Sequence, residues 1–373
     1  MVRARLPLLL VVIAGAALAP LTSSAQLPKL QTMSRTPYLL RADQPNRPPA
    51  TNISGDPSLA VDFNSTVNGI NLNGIGILTT PDPTDANFAF FCTASRVGLR
   101  TLITAAHCVT DETNGSLLST TNNTAITLFG PGSSLAGGLN TVTLTSSSVV
   151  VRPEWRGFDT EATAADGHLG YDVALVNYSF DLPSWMPIYG LYSGDPFQQN
   201  TTNVGIGTYG NGTQGGVGFD ALRRWGENRV DYYVNNFASP DWNILYTDFD
   251  DGNIFHDAFC YVDVSLCDQG RGPTEMGTAP GDSGGPLFIG NQIAGVTSFG
   301  TYFCTNNSCQ DPLADPNVID GYGALNGFAG IGGNQAFIEA DIARANAPEP
   351  ASLLLMGTGL FAIGGFARRR RQA

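Results

Sequence analysis

The chain is poor in charge and poorest in positive charge. Only 14% of its 373 residues are charged, and 19 Lys and Arg stand against 32 Asp and Glu, a net charge of −13. A surface that grips phosphates needs an excess of Lys and Arg, so nucleic acid is excluded as a partner. Histidine is scarcer still, with three in the whole chain, His107, His168 and His256. No repeat of fixed period is present, which excludes solenoid and propeller arrays. What the chain has instead is Gly, Thr, Asn and Ser in abundance, the composition of a loop-rich exported β protein.

The two ends carry addresses. Arg3 and Arg5 precede the apolar run Leu6 to Ala19, and Ser23-Ser24-Ala25 offers small residues for cleavage. This reads as a secretory signal peptide over residues 1–25. Residues 26–66 are rich in Pro, Asn and Ser without sustained periodicity, and read as a mostly irregular propeptide or linker. At the other end, Ala351 to Ala367 is apolar or small and is followed at once by Arg368-Arg369-Arg370-Arg371. That length is at the lower limit for a membrane-spanning helix, and the arginines would stay on the cytoplasmic side. Pro348-Glu349-Pro350 lies just before it. The three-part pattern over residues 347–373 resembles the PEP-CTERM sorting signal of Gram-negative bacteria. The resemblance implies an exosortase-like processing enzyme as partner and attachment to the inner membrane through the C-terminal segment. Release to the periplasm, cell surface or medium would follow.

Six cysteines in an exported chain read as disulfides with none left over. Six allow 15 pairings; local spacing favours Cys92–Cys108, Cys260–Cys267 and Cys304–Cys309. Between residues 67 and 346, short β-prone runs such as Ala125-Ile126-Thr127-Leu128-Phe129 and Asp172-Val173-Ala174-Leu175-Val176 alternate with turn clusters. That is the pattern of an all-β antiparallel barrel or sandwich. One helix is predicted over Gln335 to Ala345, with Phe337, Ile338 and Ile342 on an apolar face.

Three segments carry chemistry. They are Thr104-Ala105-Ala106-His107-Cys108, Asp172-Val173-Ala174-Leu175, and Gly281-Asp282-Ser283-Gly284-Gly285-Pro286. A serine hydroxyl is a weak nucleophile near neutral pH and needs a neighbouring base. Glycines around Ser283 let the backbone adopt positive φ and approach a substrate. The N–H groups of Gly281 and Ser283 could then converge on a developing oxyanion. His107, taken alone, would read as a core histidine; beside the serine motif it reads as the base. The base needs an acid to fix its tautomer, and Asp172 opens an apolar strand where an unpartnered carboxylate would be costly.

These three motifs, in the order His, Asp, Ser, resemble those of the chymotrypsin/trypsin family, an order that unrelated triad folds do not share. The resemblance implies two six-stranded antiparallel Greek-key barrels with a C-terminal helix and a cleft between the barrels. It implies peptide-bond hydrolysis with His107 as base, Asp172 as its orienting acid, Ser283 as nucleophile, and Gly281 and Ser283 as oxyanion donors. A protein or peptide substrate is expected, with no cofactor or metal in the chemistry. The Cys92–Cys108 pair matches the family's disulfide beside the histidine. Ser298-Phe299-Gly300 matches an edge that pairs with the substrate backbone by β-addition. A catalytically idle relative serving as a binding or adhesion module is the competing reading, and retention of all three residues weighs against it.

The sequence departs from the family in places. The intervals between the motifs are long, with insertions expected at Asp111 to Thr121 and Phe158 to Gly167. Gly277 and Thr278 fall at the primary pocket, where trypsin-like members carry an aspartate at the position of Gly277, so an uncharged residue is the expected preference. An acid could still arrive from Asp320. His168 and His256 read as exposed loop histidines. Asp248-Phe249-Asp250-Asp251-Gly252 reads as a solvated acidic turn, lacking the full spacing of a calcium loop.

Overall fold

Strands that bury one face and expose their edges are stable only when the edges are paired or the sheet closes. Here both sheets close. The structure, a computed structural model, describes residues 30–33, 38–41, 66–133, 140–158, 168–235, 242–253, 256–268, 270–303 and 321–347. The expected signal peptide, the Cys304–Cys309 pair, Asp320 and the sorting segment lie outside the described residues.

The first sheet is built from β1 (Ile75–Pro81), β2 (Phe88–Arg96), β3 (Thr101–Thr104), β4 (Ala125–Phe129), β5 (Thr141–Thr145), β6 (Ser148–Val151) and β7 (Ala174–Asn177). Its ladder runs β6-β7-β3-β2-β1-β4-β5. The two end strands are halves of one run, broken at Ser146 and Ser147. There the Ser146 N–H donates to the Thr124 carbonyl and the Ser147 N–H to that of Asn177. One bent strand thus pairs with both ends of the ladder, and six strands enclose a barrel. Leu78, Ala94, Leu102, Ile126, Leu128 and Val176 fill it.

The second sheet repeats the device. It comprises β8 (Asn200–Gly205), β9 (Arg224–Arg229), β10 (Tyr232–Asn235), β11 (Trp242–Asp248), β12 (Pro286–Ile289), β13 (Gln292–Phe303) and β14 (Leu325–Gly330). The ladder runs β9-β8-β12-β13-β14-β11-β10. Its end strands are again one run, bent at Val230 and Asp231, whose N–H groups donate to Gln199 and Tyr246. Leu245, Leu287, Ile293, Val296 and Phe328 form its core. The fold is therefore the expected pair of antiparallel six-stranded barrels. A short parallel pairing of Gly190–Leu191 with β13 and a single parallel bridge between Glu227 and Glu275 depart from the antiparallel rule.

A short helix, α1 (Ala258–Val262), is capped by Asp257, whose Oδ1 accepts from the Cys260 N–H, and the Cys260–Cys267 disulfide staples its end. The predicted terminal helix is present as α2 (Gln335–Asn346), with Ile338 fully buried. It docks on the first barrel through Asp341, which accepts a 2.8 Å hydrogen bond from Asn177 Nδ2.

The stretch 26–66 is less irregular than its composition predicts. Leu30–Met33 pairs antiparallel with Gly300–Phe303 of β13, and Tyr38–Arg41 with Phe88–Phe91 of β2. Such strands are set by the edge they find, and no local periodicity announces them.

Candidate active site

His107 sits in a single 3-10 turn, Ala106–Cys108, at the end of β3. The Cys92–Cys108 disulfide ties that turn to β2. Asp172 follows the 3-10 turn His168–Tyr171 and leads into β7, which pairs with β3. Neighbouring strands therefore bring the two residues together across 65 positions of sequence. Asp172 Oδ2 lies 2.6 Å from His107 Nδ1, and Oδ1 accepts a 2.8 Å bond from the His107 backbone N–H. A third donor comes from the other barrel, where Ser298 Oγ reaches Oδ2 at 2.5 Å. Both side chains are fully buried. Three donors thus satisfy the buried carboxyl oxygens. A carboxylate can only accept, so Nδ1 carries the ring proton and Nε2 is left with its lone pair. Phe158 packs on the His107 ring at 5.3 Å and Trp155 packs edge-on against Phe158, narrowing solvent access to the imidazole.

Ser283 belongs to the loop before β12. Gly281 and Gly284 both have positive φ, +97° and +81°. At Gly284 a Cβ would lie 2.1 Å from Thr104 Oγ1 and 2.2 Å from the Thr93 carbonyl. Glycine is thus what lets the serine loop press against the histidine segment. Thr93 fixes the loop from the first barrel. Its N–H donates to the Ser283 carbonyl at 2.7 Å, and its Oγ1 donates to the Gly281 carbonyl at 3.0 Å while accepting from the Ile206 N–H. From the second barrel, the Gly284 N–H donates to the Thr297 carbonyl. Asp282 turns inward, and its Oδ2 accepts from the Ala279 N–H at 2.9 Å. The serine loop is clamped between the barrels.

The residues expected to meet substrate, Gly277, Thr278, Ser298, Phe299 and Gly300, are all buried. Thr278 donates through both its N–H and its Oγ1 to Asn326 Oδ1, at 2.8 and 3.0 Å. Gly277 faces Phe249, and a Cβ there would lie 2.8 Å from Phe249 Cδ1. Ser298 is committed to Asp172, and Phe299 is buried with its ring against Tyr246 and Gly327. Gly300 is the first residue of β13 paired by the Leu30–Met33 strand. Beside His107, a depression of about 220 Å³ opens between Asp82, Pro83, Phe90 and the insertion Asp111–Leu118.

The chain's matches to known families agree with this geometry. The Trypsin family model matches residues 82–314, more than half of the chain. The chain belongs to the trypsin family. The PEP-CTERM protein-sorting motif matches residues 346–371, which carries export and attachment through the C-terminus. No curated protein matches the chain. Among the described residues, no helix is long and apolar enough to cross a membrane; the expected span at Ala351 to Ala367 lies outside them.

Within this trypsin-family frame, several residues differ from their sequence reading. His168 is buried, not exposed, with Nε2 3.1 Å from the Gly157 carbonyl. His256 is half-buried, stacked on Tyr322 and 2.9 Å from Asp251 Oδ1. The acidic turn is solvated only in part: Asp251 and Gly252 are exposed, but Asp248 and Asp250 are 3% and 1% exposed. Thr93 carries no signal in the sequence, and Asn326 only a weak one. An Asn within the buried strand Leu325–Gly330 was the one available signal for Asn326.

Proposed function

We propose that this chain is an exported serine endopeptidase that cleaves peptide bonds through an acyl-enzyme on Ser283. The observation that carries the reading is the Asp172 network, with the 2.6 Å contact to His107 Nδ1 as its centre. It fixes the tautomer that a general base requires and stabilises the imidazolium that forms. His107 Nε2 takes the Ser283 Oγ proton as Oγ bonds to the scissile carbonyl carbon, whose π electrons move to oxygen. The N–H groups of Gly281 and Ser283 stabilise that oxyanion; among the described residues neither finds a protein acceptor. Collapse breaks the C–N bond, and His107 returns the proton to the departing amine. Water then repeats the sequence on the ester and frees Ser283.

The primary pocket accepts an uncharged residue. Gly277, Thr278 and Asn326 present no carboxylate, and Phe249 stands where a longer side chain at 277 would go. The substrate backbone adds to β13 at Ser298 to Gly300, an edge already fit for an extended partner, since Leu30–Met33 pairs from Gly300 onward. At the C-terminus, an exosortase-like enzyme processes the sorting segment and sets the final location. Exchange of Pro348-Glu349-Pro350 for alanines should leave the tail unprocessed.

A fluorophosphonate probe tests the chemistry. Folded, processed protein should be labelled at Ser283 and S283A should not. Labelling no greater than in a denatured control would overturn the proposal.

A further inference from the structure

The loop between β11 and the serine loop collects carboxylates in a buried place. Asp248, Asp250 and Glu275 each offer a carboxylate oxygen, and the three oxygens lie within 4.8 Å of one another. The groups are 3%, 1% and 7% exposed. Buried like charges at such separations repel strongly and keep their ionised form only with a counter-charge. Among the described residues, no arginine or lysine forms an ion pair with any of the three, although the Arg271 charge does act on Glu275. The nearest guanidinium groups are used elsewhere, Arg229 by Asp231 and Asp268, and Arg271 by Asp268.

A second observation is independent of the clustering. Asp250 Oδ2 and Glu275 Oε1 are both buried and have no hydrogen-bond partner. The other oxygens are engaged: Asp250 Oδ1 accepts from the Gly252 N–H, Glu275 Oε2 from the Arg271 N–H, and Asp248 Oδ2 from the Ala258 N–H. Each carboxylate is thereby oriented by backbone while one oxygen on Asp250 and one on Glu275 remain to bind something else. An orphaned buried acceptor calls for a ligand, and acceptors facing acceptors call for a cation. A cleft of about 560 Å³, lined by Asp250, Asp251, Glu275 and Tyr322, gives access from solvent.

We propose that Asp248, Asp250 and Glu275 form a binding site for a calcium ion. Oxygen-only donors from carboxylates suit a hard cation, and calcium tolerates the irregular geometry of a loop and completes its shell with water. Magnesium demands a tighter octahedron and is the poorer fit. The site also bears on the cleft. Phe249 lies between two of the ligands and packs on Gly277, and Glu275 precedes Gly277 by two residues. A bound ion would hold the wall of the primary pocket.

The test uses full-length S283A protein stripped with chelator, because binding and melting need no catalysis and stand apart from the peptidase proposal. Calorimetric titration with calcium chloride should find one site. For a Kd near 10 μM, 1 mM calcium should raise the melting temperature by about 5–10 °C. D250N and E275Q, made singly on this background, should abolish most of that rise without lowering the metal-free melting temperature, since each replaces a buried acid with a neutral amide of the same shape. D195N, at an exposed acid elsewhere, should keep the full response. Absence of binding heat and of any thermal shift would overturn the site. So would a full calcium response in both D250N and E275Q, or in either one if the other does not fold.

Discussion

Asp172 is the residue on which most converges. It accepts from the His107 ring, the His107 backbone and Ser298, and each donor does a different job. The ring contact sets the tautomer, so D172N should invert it by offering a donor where an acceptor is needed. We expect kcat to fall by about 10⁴-fold with the fold intact, as the same exchange does in the chymotrypsin-type triad. Stopped assays with a chromogenic peptide, beside circular dichroism, would check both halves. Ser298 is a positioning residue. S298A removes one charge-assisted bond, and kcat should drop about 10-fold with little change in KM, while the pH at which activity rises moves upward. An unchanged pH profile would mean that Ser298 merely fills space. The contact of His107 with Asp172 and the positive-φ glycines around Ser283 were legible because each lies in a short motif whose neighbours are set by the same local geometry. Thr93 and Asn326 were not, because their partners, Gly281 and Thr278, lie far away in sequence.

At the scale of elements, the cleft is made by loops from one barrel anchored to strands of the other. Thr93 on β2 is the clearest anchor. T93V would strand the Gly281 carbonyl and the Ile206 N–H in a buried place, at about 1–3 kcal/mol of stability. It should also lower kcat through the loosened serine loop, which thermal melts and kinetics would resolve. Gly277 illustrates an opposite constraint. A sequence comparison invites G277D as a route to cleavage after Arg or Lys, yet Phe249 occupies the space that this side chain needs. G277D alone should be destabilised and gain no cleavage after basic residues; a peptide-library digest decides it. Strand content, the terminal helix and two of the three disulfides could be anticipated from local pattern and spacing. The pairing of Leu30–Met33 and Tyr38–Arg41 could not, since an added strand takes its register from the edge that receives it. Both receiving edges flank the cleft. Protein beginning at residue 42 should therefore bind peptide substrates with a several-fold lower KM than protein beginning at residue 26. Equal KM values would mean that this pairing does not compete with substrate.

Over the whole molecule, two barrels closed by bent strands leave little unpaired edge. Stability then turns on what is buried inside the loops of the second barrel. Burial is the largest cause of the raised carboxylate pKa values there. Asp250 is pushed to about 6, with Asp257, Asp268 and Asp251 adding repulsion. Asp231 reaches about 7 even though Arg229 opposes the shift. Glu275 rises to about 9 despite Arg271, with Asp250 and Asp231 adding to burial, and Asp248 is raised as well, by burial and by Asp231, Asp257, Asp250 and Glu275. The sign of the consequence follows from linkage. These acids hold protons in the folded chain that the unfolded chain has already released, so folding is favoured below the ordinary carboxylate range. That advantage is lost as pH climbs through the raised values. Metal-free protein should accordingly melt at progressively lower temperature between pH 5 and pH 9 in scanning calorimetry. Calcium should flatten the slope by supplying the missing counter-charge, and E275Q should flatten it without calcium because a group raised to about 9 is gone. A metal-free melting temperature that holds steady or rises from pH 5 to pH 9 would mean that these carboxylates are better solvated than their burial indicates, and the case for an ion among them would weaken with it.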